Sequence, residues 1–312
     1  MAGVCLLAAS CSKECVEQVE TETVMAPVKV HVSDFSMSVG EFPDAAGRTR
    51  DAAGRTKDAA GRTKDAAGRT RGGVNPATYD GVGAITLAFY KEGTEVYKTT
   101  QVKRSASTYD TFGEFGLMLP TGSYTMVVVG YGLFDGDTFT LTSPESANFS
   151  PKARETFVKT QPVTITSAAA VDISATLNRI ASRVTVESTD GRSAEAAKVR
   201  MTLSGGGISF SPTTGLATDN TGLVNTLNIS KKTGETTSST SFLFLTTDEQ
   251  TIDVTIDILD AAENILYSKT VKDVPLKRNR ITTLSGPLYT NASLTGAFLV
   301  NADWLDGETV NF

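Results

Sequence analysis

Apolar and polar residues alternate in short runs along most of the chain. Val28-Lys-Val-His-Val-Ser-Asp-Phe alternates over the length of one strand, and Phe35-Ser-Met-Ser-Val continues it. A period of two sends alternate side chains to opposite faces of a sheet, so such runs predict half-buried strands. Further strands are expected at Ala84 to Tyr90, Gly93 to Thr99 and Phe115 to Leu119. In Leu119-Pro120-Thr121-Gly122 the proline presets φ and the glycine permits a positive φ, so the chain should reverse into Tyr124 to Val129. The unbroken run Val127 to Val129 is expected to be central and buried.

A second set of strands begins near Val163-Thr-Ile-Thr and Val171 to Leu177. It runs on through Arg183 to Val186, Val199 to Leu203, Ser241 to Leu245 and Thr251 to Leu259. In the last of these, Ile252, Val254, Ile256 and Ile258 share one face, and Asp260 to Asn264 supplies a turn into Ile265 to Val271, predicting a hairpin. Short strands joined by Gly and Pro turns indicate an all-β protein of antiparallel β-sandwiches. At 312 residues the chain is long enough for two domains. They are expected at 24–168 and 169–312, with the boundary near residue 168, where Ser167-Ala-Ala-Ala lacks strand character.

Composition narrows the chemistry. Formal charge is −6, and outside the stretch 44–71 the chain holds 21 basic and 31 acidic residues, so nucleic acid is not an expected partner. All three cysteines, Cys5, Cys11 and Cys15, fall in the first fifteen residues, which excludes a disulfide framework from the body. His31 is the single histidine, leaving no support for zinc ligation or a Ser-His-Asp triad. Asp253 and Asp257 form a carboxylate pair without a nucleophile or base beside them, and Gly205-Gly-Gly lacks the lysine of a phosphate loop. Asp219, Asn220 and Asn225 fit ordinary turn chemistry better than a calcium loop. No enzymatic activity, metal or cofactor is expected.

Residues 1–10 form an apolar run closing on small residues, followed by Cys11, the layout of a bacterial lipoprotein signal with Cys11 as the lipidated residue and 11–23 as a linker. Ala8 stands at position −3 where leucine is usual, and no basic segment precedes the run; an uncleaved apolar tail is the alternative. No other stretch approaches the length of a membrane span. Residues 44–71 are four copies of one heptapeptide, Asp-Ala-Ala-Gly-Arg-Thr-Arg or -Lys, closed by Gly72-Gly73. Alanine alone supplies apolar surface and each copy carries a glycine, so 44–73 is expected to be a solvated loop and not a coiled coil. Its basic side chains suit a trypsin-like protease, with neutral repeat expansion as the plainer account.

Several segments together resemble the fimbrillin family of Bacteroidales pilins and related surface lipoproteins. They are Cys11, the strand through Val28 to Val39, the basic loop, Ala84 to Tyr90, Leu119-Pro-Thr-Gly-Ser-Tyr with Gly130-Tyr-Gly, Leu177 to Val186, and Val274 to Gly286. The resemblance implies two transthyretin-like sandwich domains in tandem, exported to the outer membrane surface as a lipoprotein and destined for a fimbrium. In polymerising members an Arg-specific protease removes the first strand, and the groove so opened takes an extended segment of another pilin subunit. Here that cut maps to Arg48, Arg50, Arg55, Arg62, Arg69 or Arg71. The donor candidate is the tail, where Leu294, Phe298, Val300, Ala302 and Trp304 share one parity; a final edge strand folded onto its own domain is the alternative. A tip, accessory or stand-alone surface lipoprotein that binds a host ligand or glycan, with exposed Tyr and Trp stacking on sugars, is the second reading of function.

Overall fold

The computed structural model describes residues 23–36, 79–103, 111–290 and 299–301, the last three by their backbone. Among these residues every regular element is a β-strand. In chain order they are β1 (Met25–Ser36), β2 (Ala84–Lys91), β3 (Thr94–Val102), β4 (Glu114–Pro120), β5 (Gly122–Tyr131), β6 (Thr138–Ser143), β7 (Ser146–Ser150), β8 (Thr156–Ile165) and β9 (Val171–Arg179). There follow β10 (Ser182–Ser188), β11 (Lys198–Leu203), β12 (Ser209–Phe210), β13 (Leu223–Asn228), β14 (Ser238–Leu243), β15 (Glu249–Leu259), β16 (Ile265–Lys277), β17 (Ile281–Gly286) and β18 (Leu299–Asn301).

The first unit is one seven-stranded sheet, ordered β3-β2-β5-β8-β9-β1-β4. β8 and β9 are paired only at Phe157↔Arg179 and Val158↔Asn178. At that short joint the sheet folds over, so that Val28, Val30 and Phe35 of β1 and Leu177 of β9 meet Leu87, Phe89, Met126 and Val128 of β2 and β5 in one core. The Pro-Thr-Gly turn carries the chain across this core, from one half of the folded sheet to the other, and does not join neighbouring strands: β4 pairs with β1, whereas β5 lies between β2 and β8. Val127, Val128 and Val129 are all fully buried there, as their unbroken run predicts.

The second unit packs the sheet β14-β10-β17-β18 against the sheet β13-β11-β15-β16. Val184, Val186 and Leu284 on one side face Met201, Val254 and Ile256 on the other. β15 and β16 form the expected hairpin, and Ile252, Val254, Ile256 and Ile258 all point into the core.

Two features depart from the sequence reading. The sheets are mixed, since β1 runs parallel to β9 and β10 runs parallel to β17. Parallel neighbours need a long connection, and here the connection is the remainder of each unit, so alternation within a strand could not indicate direction. Second, β9 lies beyond residue 168 yet pairs with β1, and the passage from the first unit to the second falls between Arg179 and Ser182. Both units share one plan. The opening strand, β1 or β10, sits between an antiparallel middle strand, β4 or β14, and a parallel closing strand, β9 or β17.

A third core joins the units. The three-stranded sheet β12-β7-β6 draws two strands from the first unit and one from the second. Beneath it Phe149 meets Phe210 at 6.3 Å and Phe244 at 6.0 Å between ring centroids, with Phe210 and Phe244 at 4.5 Å. Val127, Val129 and Tyr131 on the outer face of β5 complete this cluster.

Candidate functional site

The best-defined candidate is the slot that β1 occupies. β1 pairs with β4 from Met25↔Pro120 to His31↔Glu114, and with β9 from Val28↔Val171 to Ser36↔Asn178. β4 stands at the sheet edge with β1 as its partner strand. The inward side chains Ala26, Val28, Val30 and Val32 follow the expected alternation, each at most 2% exposed. A bulge between Val32 and Asp34 then resets the parity, so that Phe35 is buried three positions after Val32. Fully burying a Val or Phe contributes about 1.5–3 kcal/mol, so this face holds β1 by on the order of 10 kcal/mol before the entropy of ordering it.

Phe35 seats in a shaped pocket. Its ring lies 4.8 Å from Phe157 and 6.1 Å from Tyr79. A Cβ at Gly130 would approach the Phe35 ring to 2.8 Å, so the absence of a side chain there makes room for it. The pocket is closed by a buried ion pair, Arg179 Nη2 to Glu155 Oε1 at 2.7 Å, with Arg179 lying 4.9 Å over the Phe157 ring. The Tyr79 hydroxyl donates to Glu155 at 2.7 Å and accepts from Arg179 at 3.1 Å. Burial, reinforced by the Glu155 charge, pushes the Tyr79 phenol well above its ordinary pKa, so it remains a donor. At the bulge, Asp34 carries a buried carboxylate oxygen without a hydrogen-bond partner, and burial raises its pKa.

Phe35 and Tyr79 bracket the stretch 37–78, which therefore leaves and re-enters the first unit at one place. Cys11, the heptad copies and Arg48, Arg50, Arg55, Arg62, Arg69 and Arg71 lie outside the described residues, as do Leu294, Phe298, Ala302 and Trp304. Val300 falls in β18, whose backbone pairs antiparallel with β17 through Thr283↔Asn301, Leu284↔Val300 and Ser285↔Leu299.

Other singled-out residues have local partners. His31 pairs with Glu114 on the outer face. Asp253 is bonded to Lys272 at 2.5 Å and Asp257 to Arg200 at 2.7 Å, so the two carboxylates belong to separate ion pairs. Asn220 Oδ1 accepts from the Gly206 amide and from Gln250, each at 2.7 Å, which is turn chemistry. Among the described tyrosines, Tyr90, Tyr124, Tyr131 and Tyr289 are buried and Tyr79, Tyr97 and Tyr267 are half-buried. Tyr79, Gly130, Glu155 and Arg179 were not singled out by periodicity. The glycine inside Val-Val-Val-Gly-Tyr-Gly was the available signal, because glycine in a strand often marks a close approach.

A protein-family model described as a family of unknown function (DUF6562) matches residues 56–308. No curated protein matches the chain. Among solved structures it is similar to a candidate adhesin from Bacteroides ovatus, at 11% identity over 85% of this chain and 88% of that one, with a TM-score of 0.46. It is also similar to a candidate polysaccharide-binding protein from Bacteroides thetaiotaomicron, at 10% identity, 91% and 100% coverage and a TM-score of 0.45. A third is the fimbrial anchor protein Mfa2 from Porphyromonas gingivalis, at 11% identity, 84% and 90% coverage and a TM-score of 0.42.

Proposed function

Because the chain belongs to DUF6562, a family of unknown function, its role has to be argued from its own architecture, and we propose that it is a surface fimbrial subunit or precursor assembled by donor-strand exchange. The observation that carries this reading is the placement of β1. It fills a full-length slot between β4 and β9, yet its onward link to the sheet is the stretch 37–78, which holds the basic heptads. A cut after one of the arginines would sever β1 covalently without touching the β4 or β9 side of the slot.

Loss of β1 would expose two rows of backbone donors and acceptors and the apolar trench that holds Val28, Val30, Val32 and Phe35. Unpaired edges and an apolar trench are satisfied together by an extended strand with period-two apolar residues. The tail from Leu294 to Trp304 has that pattern, and we assign it as the segment donated to the next subunit. In this reading each unit is a transthyretin-like domain, Cys11 carries a lipid that holds the precursor at the outer membrane, and the partners are an Arg-specific protease and other pilin subunits. The second opening strand, β10, follows β9 almost directly and so lacks a comparable cutting site.

The test is incubation of the full chain with a trypsin-like protease. Release of a fragment ending in the heptads, followed by ladders that resist mild SDS in the cold, is the expected result. A cleaved protein that stays monomeric, or β1 retained with no change in assembly, would overturn the proposal.

A further inference from the structure

A cleft of about 620 Å³ opens where the two units meet. Its walls are β8 and the end of β9, the turn Pro212–Gly215, and the turn between β16 and β17. Lys159, Lys277, Arg278 and Arg280 line it, against the acids Asp248 and Glu249. Lys277 is paired with Glu249 and Arg278 with Asp248, each at 2.7 Å. Arg179, also in the wall, is committed to Glu155. The Lys159 side chain makes no hydrogen bond or ion pair among the described residues, and the cleft carries an excess of positive charge in a chain whose formal charge is −6. The walls are held in place by Thr160 donating to the Pro212 carbonyl at 3.0 Å and Arg278 to the Thr214 carbonyl at 2.9 Å.

The register of β18 gives the cleft an occupant. From Leu299 to Asn301 the chain passes Ser285, then Leu284, then Thr283, and so travels toward the start of β17 at Ile281. Immediately before Ile281 stand Lys277, Arg278 and Arg280. The residues that follow Asn301, 302–312, include Asp303, Asp306 and Glu308 and contain no Lys or Arg. Direction and charge agree.

We infer that this cleft binds an extended acidic peptide, the chain's own segment 302–312. Carboxylates on Asp303, Asp306 and Glu308 would meet Lys159 and the basic turn, and charge-assisted hydrogen bonds of this kind are about twice as strong as neutral ones. Held by its own chain, the segment would keep the preceding tail residues beside β17 and away from other subunits.

Titration calorimetry with a synthetic peptide of residues 302–312 tests this, using full-length protein carrying Asp303→Asn, Asp306→Asn and Glu308→Gln. Binding is expected, weakened about tenfold or more by about 0.5 M salt and about tenfold or more by Lys159→Glu. Arg280→Gln is the second variant, and unchanged circular dichroism melts would verify that both remain folded. Peptide binding to the unsubstituted chain is expected to be at least about tenfold weaker than to the neutralised one, because the chain's own segment competes; equal binding would overturn the assignment of that segment as occupant. No binding, binding indifferent to salt and to Lys159→Glu, or equal binding of a peptide with its acids neutralised would overturn the inference. Ladders after proteolysis without peptide binding would overturn the cleft alone, and peptide binding without ladders would overturn strand exchange alone.

Discussion

At the residue scale, the grip on β1 is concentrated at its end. Val28, Val30 and Val32 fill ordinary sandwich positions, whereas Phe35 needs a specific vacancy over Gly130. Gly130→Ala should therefore act through Phe35. A Cβ 2.8 Å from the ring forces either the ring or the strand to move, and overpacking of this kind costs about 1–3 kcal/mol. Denaturant unfolding of the variant should show that loss, and proteolytically cut protein should release the β1 fragment faster than the parent. A variant as stable as the parent would mean that Phe35 has another place to go. The alternation from Ala26 to Val32 was legible in the sequence, because period two translates directly into one face. The bulge that turns Phe35 inward was not, because it inserts Ser33 as an extra residue of β1 against consecutive residues of β9, a long-range pairing that leaves no local mark.

At the scale of elements, most strands could be read and their partners could not. The runs at Ala84, Tyr124, Val199 and Thr251 all became strands. Yet Val171 to Leu177, grouped by position with the later strands, pairs with β1, because that pairing is long-range and leaves no local mark. β6 and β7 were missed for a related reason: Thr138–Ser143 and Ser146–Ser150 are short and Ser/Thr-rich, and their burial comes from Phe210 and Phe244 of the other unit. The basic stretch lends itself to a separate test. Phe35 and Tyr79 stand 6.1 Å apart between ring centroids, so the fold requires little of the chain between them. Deleting residues 51–71 should change unfolding free energy by less than about 1 kcal/mol, since closure entropy depends only weakly on loop length. A larger loss on thermal or chemical melting would show that the heptads contribute to the fold.

At the scale of the whole molecule, the aromatic cluster under β6 and β7 ties the two units together. Phe244 is fully buried among Phe149 and Phe210. Truncating a buried Phe to Ala costs about 3–5 kcal/mol, and here the loss falls on the joint between units. The parent should melt in one calorimetric transition and Phe244→Ala in two; a single transition in both would remove the cluster as the source of coupling. The slot itself has a consequence in time. Ser33 and its neighbour Thr176 across the β1–β9 pair are separated by 143 positions. A chain that emerges from its amino terminus presents β1 well before β9, so β1 can pair with β4 but must wait for its parallel neighbour while the 143 positions between Ser33 and Thr176 are delivered. Closure of the slot is thus a late step in forming the first unit, and contacts of such span are slow to form. Within that unit, the described strand that arrives first is held on both sides only once the one that arrives last is in place.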